Sequence, residues 1–437
     1  MPLRGGERGG DGGGERPAGA ARLRARGHAS VLPRAPVRAA GPVRQDRSVA
    51  TDTAPARYPV PDRVPQPLVL DGAPLLAVSP LRVYTCGITP YDVTHVGHAA
   101  TFVWADLLAS VSRASGAKAE VSRNITDVDD VLTAAAARAG RHYDELASVQ
   151  EFQFGRDMQA LAVARPAHEP KARAHVAAVV RLAAALLATG AAYERAGYVY
   201  FRGAEVPGRA GLGTEEALRL STAYGDQEDV PDRESPFDVP VWRPSAEGVP
   251  AWPTPWGWGR PGWHAECAAM AVATFGSSVD VLVGGVDLAF PHHAYQAAMV
   301  EAATDVSPFA RAVLHVGEVR QGGVKMSKSL GNLTLVSDLL TRFTGPVVRL
   351  GLLHRDRREP WECEDAVFAA AAATLEKLYA AAGSPAEKAD AGSGRDRVLA
   401  ALLADLDVRA AVAVALDEGG DAARYLLDVL RLTDLTA

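Results

Sequence analysis

The stretch LRVYTCGITPYDVTHVGHAATF, Leu81–Phe102, decides the fold. Leu81 to Cys86 is rich in residues that favour extended backbone and runs into Gly87, so it reads as a strand feeding a loop. From His98 to Arg113, Phe102, Leu107, Leu108 and Val111 recur at helical spacing. Working outward, Glu120–Ile125 is a second short strand, and Val279–Gly284 and Ala312–Val319 read as further buried strands. Residues 131–195 are rich in Ala and Leu with charges on one face, which predicts two or three helices. Residues 225–262 read as loop-rich, with Pro and Trp clustered, and the pattern is helical again from about Gly345. The expected fold class is α/β: a doubly wound parallel sheet with a helical insertion and a C-terminal helical domain. The corresponding boundaries are a basic extension over 1–57, a catalytic domain over 58–344 with its insertion at about 131–250, and a helical bundle over 345–437.

Composition narrows the class. The 437 residues are 48% hydrophobic and 22% charged, enough for two or three domains with a sizeable core. No run of about 18 uninterrupted apolar residues occurs, which speaks against a membrane span. The formal net charge of -6 speaks against a dedicated nucleic-acid surface. Three well-separated cysteines, Cys86, Cys267 and Cys363, do not make a disulfide framework, so a cytoplasmic location and a monomer are expected. Residues 1–50 carry ten Arg against four acids. The segment reads as a disordered extension or an upstream start, with a leader or a basic tail as the functional alternatives.

Two motifs point to nucleotide chemistry. In His95-Val-Gly-His98, two imidazoles three residues apart open a helix, beside backbone N–H groups that favour an anionic phosphate. In Lys325-Met-Ser-Lys-Ser329, two of only six lysines in the chain lie three apart on a Gly-flanked loop. Mobile ammonium groups there suit closure over a triphosphate.

Together HVGH and KMSKS resemble the two ATP motifs of class I aminoacyl-tRNA synthetases. Longer strings narrow the resemblance to the cysteine-activating branch: CGITPYDVTHVGHAATF, NITDVDD (124–130), RPGWHAEC (260–267), VDLAFPHH (286–293) and KMSKSLGN (325–332). The resemblance spans roughly residues 80–335 and implies His95, His98, Lys325 and Lys328 as catalytic groups acting on ATP with Mg²⁺. It implies Cys86, Cys267 and His292 as ligands of one Zn²⁺ whose fourth position takes the substrate's sulfur, a preference that a soft metal enforces over serine without editing. It further implies Asp287 at the ribose, Trp263 against the bound amino acid and Val319 beside adenine. Gly87, Ile88, Thr89, Thr101, Asn124, Ile125, Thr126, Gly285 and Val286 are implied contacts of the aminoacyl adenylate. Cys363 reads as structural, and Asp127, Asp129 and Asp130 as capping and structural residues rather than Mg²⁺ ligands. One position departs: cysteinyl-tRNA synthetases usually place a carboxylate four residues after the first His of FPHH, and here Gln296 stands there.

Within the branch the sequence leans toward the mycothiol-pathway cysteine ligases, which join cysteine to glucosaminyl-inositol through a zinc-tethered cysteinyl-adenylate. Pro90, Ala100 and Val131 replace the Val, Arg and Lys common in the tRNA-charging enzymes. Only 108 residues follow Ser329, and Pro360–Ala437 carries seven basic and fourteen acidic residues, net -7, which repels a polyanion. Against this, Thr222-Ala-Tyr-Gly-Asp-Gln227 keeps only Gly225 and Asp226 of the ligases' ERGGDP-like stretch, and Ala294 follows HH where Glu is usual. The expected partners are small molecules: L-cysteine, ATP and glucosaminyl-inositol or a related amine. The alternatives are charging of transfer RNA and a catalytically silent sensor of cysteine or ATP; the intact motifs oppose the sensor.

Overall fold

Alternation along the strand Leu81–Ile88 sorts its side chains between two cores. Leu81 and Val83 enter one hydrophobic cluster, while Tyr84 and Cys86 enter the other. The register shifts between Thr85 and Ile88, and Ile88 returns to the first cluster. In the computed structural model, which describes residues 67–76, 79–91, 94–225, 232–326, 331–383 and 391–433, this strand lies inside a four-stranded parallel sheet. Its order is Ala310–Val316, Val279–Gly285, Leu81–Ile88, Ala119–Ile125. The extension over 1–57, Lys328 and Asp226 lie outside the described residues.

The first strand in the chain thus sits between the second and the third, so the connections from it run in opposite directions. This reversal puts the crevice in which doubly wound sheets bind ligands at the carboxyl ends of Leu81–Ile88 and Val279–Gly285 on topological grounds. The helix Val96–Ala114 covers one face through Phe102, Leu107, Leu108 and Val111. Helices Trp263–Phe275 and Ala294–Thr304 cover the other, contributing Met270, Ala298 and Met299 to the second core.

Helices Asp130–Arg138, Tyr143–Ala160 and Val176–Ala188 follow the second strand, as the apolar spacing predicts. Asp129 caps the first of them, accepting the Val131 N–H at 2.9 Å. Asp127 accepts the Arg173 N–H at 2.8 Å, and Asp130 pairs with Arg260 at 2.7 Å and Arg243 at 3.0 Å. These contacts match the structural role expected of the acidic run.

The loop-rich reading of 225–262 is corrected. Three strands within it, Val239–Pro244, Trp252–Thr254 and Gly257–Pro261, join Ala192–Arg195 and Tyr198–Phe201 in an antiparallel sheet of order Ala192–Arg195, Tyr198–Phe201, Val239–Pro244, Gly257–Pro261, Trp252–Thr254. Pro240, Pro244, Pro253 and Pro261 sit inside these short strands, and proline is the residue that usually argues against a strand. The stretch Ala312–Val319 is likewise two elements. The sheet strand ends at Val316, and Val319–Gln321 forms a hairpin with Val324–Lys325. Gly322 and Gly323, with φ of 64° and 80°, make its tight turn.

Helices Gly345–Leu353, Asp365–Gly383, Ala391–Leu403, Val408–Glu418 and Gly420–Val429 follow. Leu350, Phe368, Leu402 and Leu426 share one core with the helix Val96–Ala114. The fully buried Arg349 fastens this union: it donates to Asp106 Oδ2 at 2.5 Å, Leu430 O at 2.6 Å and Leu161 O at 2.9 Å. Among the described residues, no helix is long and apolar enough to cross a membrane.

Candidate active site

Three residues that are far apart in sequence meet at the crevice. Cys86 lies two residues before the end of the strand Leu81–Ile88, Cys267 lies on the helix Trp263–Phe275, and His292 lies in a kinked turn, Ala289–His293, that leads into the next helix. One ligand atom from each lies within 4.8 Å of the other two, and all three side chains are buried. Two sulfurs and an imidazole form a donor set that can hold a soft, tetrahedral cation.

The surroundings fix these donors. Asn124 Nδ2 donates to Cys267 Sγ at 3.1 Å, while Asn124 Oδ1 accepts the Gly87 N–H at 2.9 Å. Gly87 is required there, because a Cβ would collide with the Asn124 carbonyl oxygen. Gln296 Nε2 donates to Cys86 Sγ at 3.1 Å. Trp263 stacks on the His292 ring with centroids 4.0 Å apart, and the Nδ1 atoms of His264 and His292 lie 2.8 Å apart.

Electrostatics separates the two thiols. Burial alone would raise Cys86, yet its hydrogen bond with Cys267 and its contacts with His293 and His292 hold it well below the usual thiol range. Cys267 is pushed well above that range by burial and then by its neighbour Cys86. Burial, then His292, pushes His264 well below the usual histidine range, so its ring is neutral. Burial, then His293, lowers His315 to about 4; its Nε2 lies 2.9 Å from His293 Nδ1.

The nucleotide motifs form a second group. The His95 and His98 rings stack at 3.9 Å where the helix Val96–Ala114 begins. Lys325, at the end of the short hairpin, places Nζ 2.9 Å from Asp287 Oδ2. The same ammonium lies 4.1 Å from the Tyr224 ring centroid. Thr89 and Thr126 share a hydrogen bond of 2.7 Å between their hydroxyls, and the Thr126 N–H donates to Ile88 O at 3.0 Å. Thr101 back-bonds to Gly97 O at 3.5 Å. Val319 is buried at the start of the hairpin, Ile125 ends its strand with its N–H on Pro170 O, and Gly285 and Val286 lead into Asp287.

The motif residues therefore converge as two sets, Cys86–Asn124–Cys267–His292 and Asp287–Lys325. The sequence reading assigned no role to His264 or Tyr224. His264 could have been found inside RPGWHAEC, where it is three residues before Cys267. Tyr224 carried no signal, because its partner Lys325 is about 100 positions away.

Residues 75–373 match the family described as tRNA synthetases class I (C) catalytic domain. Over 338 residues the chain is 40% identical to an L-cysteine:1D-myo-inositol 2-amino-2-deoxy-alpha-D-glucopyranoside ligase of Kribbella flavida, covering 76% of this chain and 83% of that protein. Over 308 residues it is 40% identical to a cysteine–tRNA ligase of Xanthomonas euvesicatoria pv. vesicatoria, covering 70% of this chain and 64% of that one. In fold it is similar to a methionyl-tRNA synthetase of Mycobacterium tuberculosis in complex with methionyl-adenylate, at 18% identity and a TM-score of 0.57, covering 80% and 84% of the two chains.

Proposed function

The chain belongs to the class I tRNA synthetase (C) family, and from that premise we propose that it ligates L-cysteine to the amine of glucosaminyl-inositol at the expense of ATP, releasing AMP and pyrophosphate. The observation that carries the cysteine half is the buried Cys86–Cys267–His292 group at the sheet's switch point. When bound there, Zn²⁺ supplies a soft Lewis acid that prefers a thiolate to the hydroxyl of serine. Trp263, stacked on His292, walls the amino-acid side of this pocket.

ATP enters as its Mg²⁺ complex. We assign Asp287 to the ribose hydroxyls, and Val319 and the loop at Gly285–Val286 to the base and the adenylate; the position of Asp287 in the turn Val286–Leu288 and of Val319 at the start of its strand supports this. His95 and His98, and Lys325 with Lys328, serve the phosphates. The cysteine carboxylate attacks the α-phosphorus, an O–P bond forms and pyrophosphate leaves. Thr89, Thr101, Thr126 and the backbone of Gly87, Ile88 and Ile125 line the adenylate. The neutral amine then attacks the carbonyl carbon, a C–N bond forms and AMP leaves. The -7 charge of Pro360–Ala437 favours an incoming ammonium over a polyanion, and the name of the Kribbella flavida relative agrees.

Charging of transfer RNA is the second reading, favoured by the 40% identity to a cysteine–tRNA ligase. The test is AMP release with cysteine, ATP and either glucosaminyl-inositol or transfer RNA. The amino sugar should stimulate release with little dependence on salt. No cysteinyl-tRNA should form at about 50 mM salt, a condition that favours polyanion binding. Efficient charging would overturn the ligase reading.

A further inference from the structure

Two carboxamides flank the sulfurs, and they are not equivalent. Asn124 is satisfied at both ends: Oδ1 accepts from Gly87 and Nδ2 donates to Cys267 Sγ. Gln296 is fully buried, one turn beyond His292 where the kinked turn continues into the helix Ala294–Thr304. Its Nε2 donates to Cys86 Sγ at 3.1 Å. Its Oε1 is buried and has no hydrogen-bond partner among the described residues.

An unpaired buried carbonyl is costly, and a protein keeps one where a ligand will answer it. The sulfur fixes which way the amide points. Nitrogen is the arm that faces the Cys86 sulfur, so oxygen lies on the other arm of the same planar group. In cysteine, the ammonium nitrogen is only two carbon atoms from the sulfur. A cysteine whose sulfur joins Cys86, Cys267 and His292 can therefore bring its ammonium within reach of Gln296, which touches Cys86.

The geometry points to Gln296 as a specificity residue: its Nε2 holds the Cys86 sulfur, and its Oε1 accepts a hydrogen bond from the α-ammonium of the bound cysteine. The inference rests on the reading of the sulfur cluster as a metal-dependent cysteine site. Gln296 would then select for an α-amino thiol over a plain thiol, a choice that the metal alone does not make.

The test uses the full chain loaded with Co²⁺, whose sulfur-to-metal charge-transfer band reports thiol binding without turnover. L-cysteine is compared with 3-mercaptopropionate, which keeps the thiol and the carboxylate but lacks the ammonium. The wild-type protein should prefer cysteine by about 10- to 100-fold, the range expected of a hydrogen bond to a charged donor. In Gln296→Leu the preference should collapse to within about threefold, cysteine losing far more affinity than 3-mercaptopropionate, which forfeits only the support of Nε2 to Cys86. Gln296→Ser, which shortens the side chain and sets nothing bulky against Cys86, must show the same collapse. A purely structural role would weaken both ligands equally in both variants. Retention of the wild-type preference in either cobalt-loaded variant, or an equal loss for both ligands, would overturn the inference. If the wild-type protein gave no charge-transfer band with either thiol, the metal reading beneath it would fail instead.

Discussion

Cys86, Cys267 and His292 are 5%, 1% and 1% exposed, whereas the side chains of Lys325 and Asp287 are 30% and 37% exposed. Around the sulfurs, the partners are buried amides and aromatic rings carried by strands and helices. Around Lys325 the partners are one carboxylate and one ring face, reached by a long flexible side chain at the end of a short hairpin. On the proposed reading, the cysteine half is thus built before any substrate arrives. The nucleotide half would then be made of groups that exchange partners: if Asp287 takes the ribose hydroxyls it must release Lys325, and the freed ammonium could reach a phosphate.

The comparison can be broken at the fixed half. Cys267→Ala should remove the metal and, with it, cysteine-dependent pyrophosphate exchange. Metal analysis beside the exchange assay checks this, and a fully active, metal-free variant would refute the fixed site. Beneath the site, Arg349→Ala should destabilise the fold by about 3–5 kcal/mol, because it removes the nearest buried partner of Asp106, leaving it Arg431 at 3.8 Å and the Ala164 N–H at 3.0 Å, and leaves the carbonyls of Leu430 and Leu161 without their guanidinium donor. Chemical denaturation reads this directly. A loss below 1 kcal/mol would mean that the C-terminal helices are not tied to the sheet through this pair.

The movable half should respond differently. Lys325→Ala should slow adenylate formation by about 10²-fold, the usual result of losing one charge-stabilising group, and leave cysteine binding intact. Loss of cysteine binding in that variant would merge the two halves. The smallest effect belongs to Tyr224→Leu. Removing the ring takes about 0.5–1 kcal/mol from the resting contact of Lys325, so KM for ATP should fall about two- to fivefold with kcat little changed. A raised KM would show that the ring aids the nucleotide complex and does not hold the lysine at rest.

The difference between the halves also explains what could be read from sequence. Helix Val96–Ala114 announced itself by the periodicity of its apolar residues, and strand Leu81–Ile88 by its β-favouring residues and the glycine they run into. Cys86, Cys267 and His292 stood out because cysteine is scarce and each residue sat in a distinctive string. The antiparallel sheet within 192–261 was hidden by prolines at positions where its short strands tolerate them. Gln296 was visible as a poor metal ligand, but its bond to Cys86 depends on a helix and a strand 210 positions apart meeting in space. The contact of Tyr224 with Lys325 depends likewise on tertiary placement that no local pattern encodes.

The account stands most directly on cysteine-dependent exchange of pyrophosphate into ATP with no acceptor present. Exchange with L-cysteine should exceed that with L-serine by at least about 100-fold, the discrimination expected when a site is built for one functional group. It should vanish on metal chelation and return with Zn²⁺. Equal exchange with serine, or exchange untouched by chelation, would contradict a prebuilt, sulfur-selecting site at Cys86, Cys267 and His292.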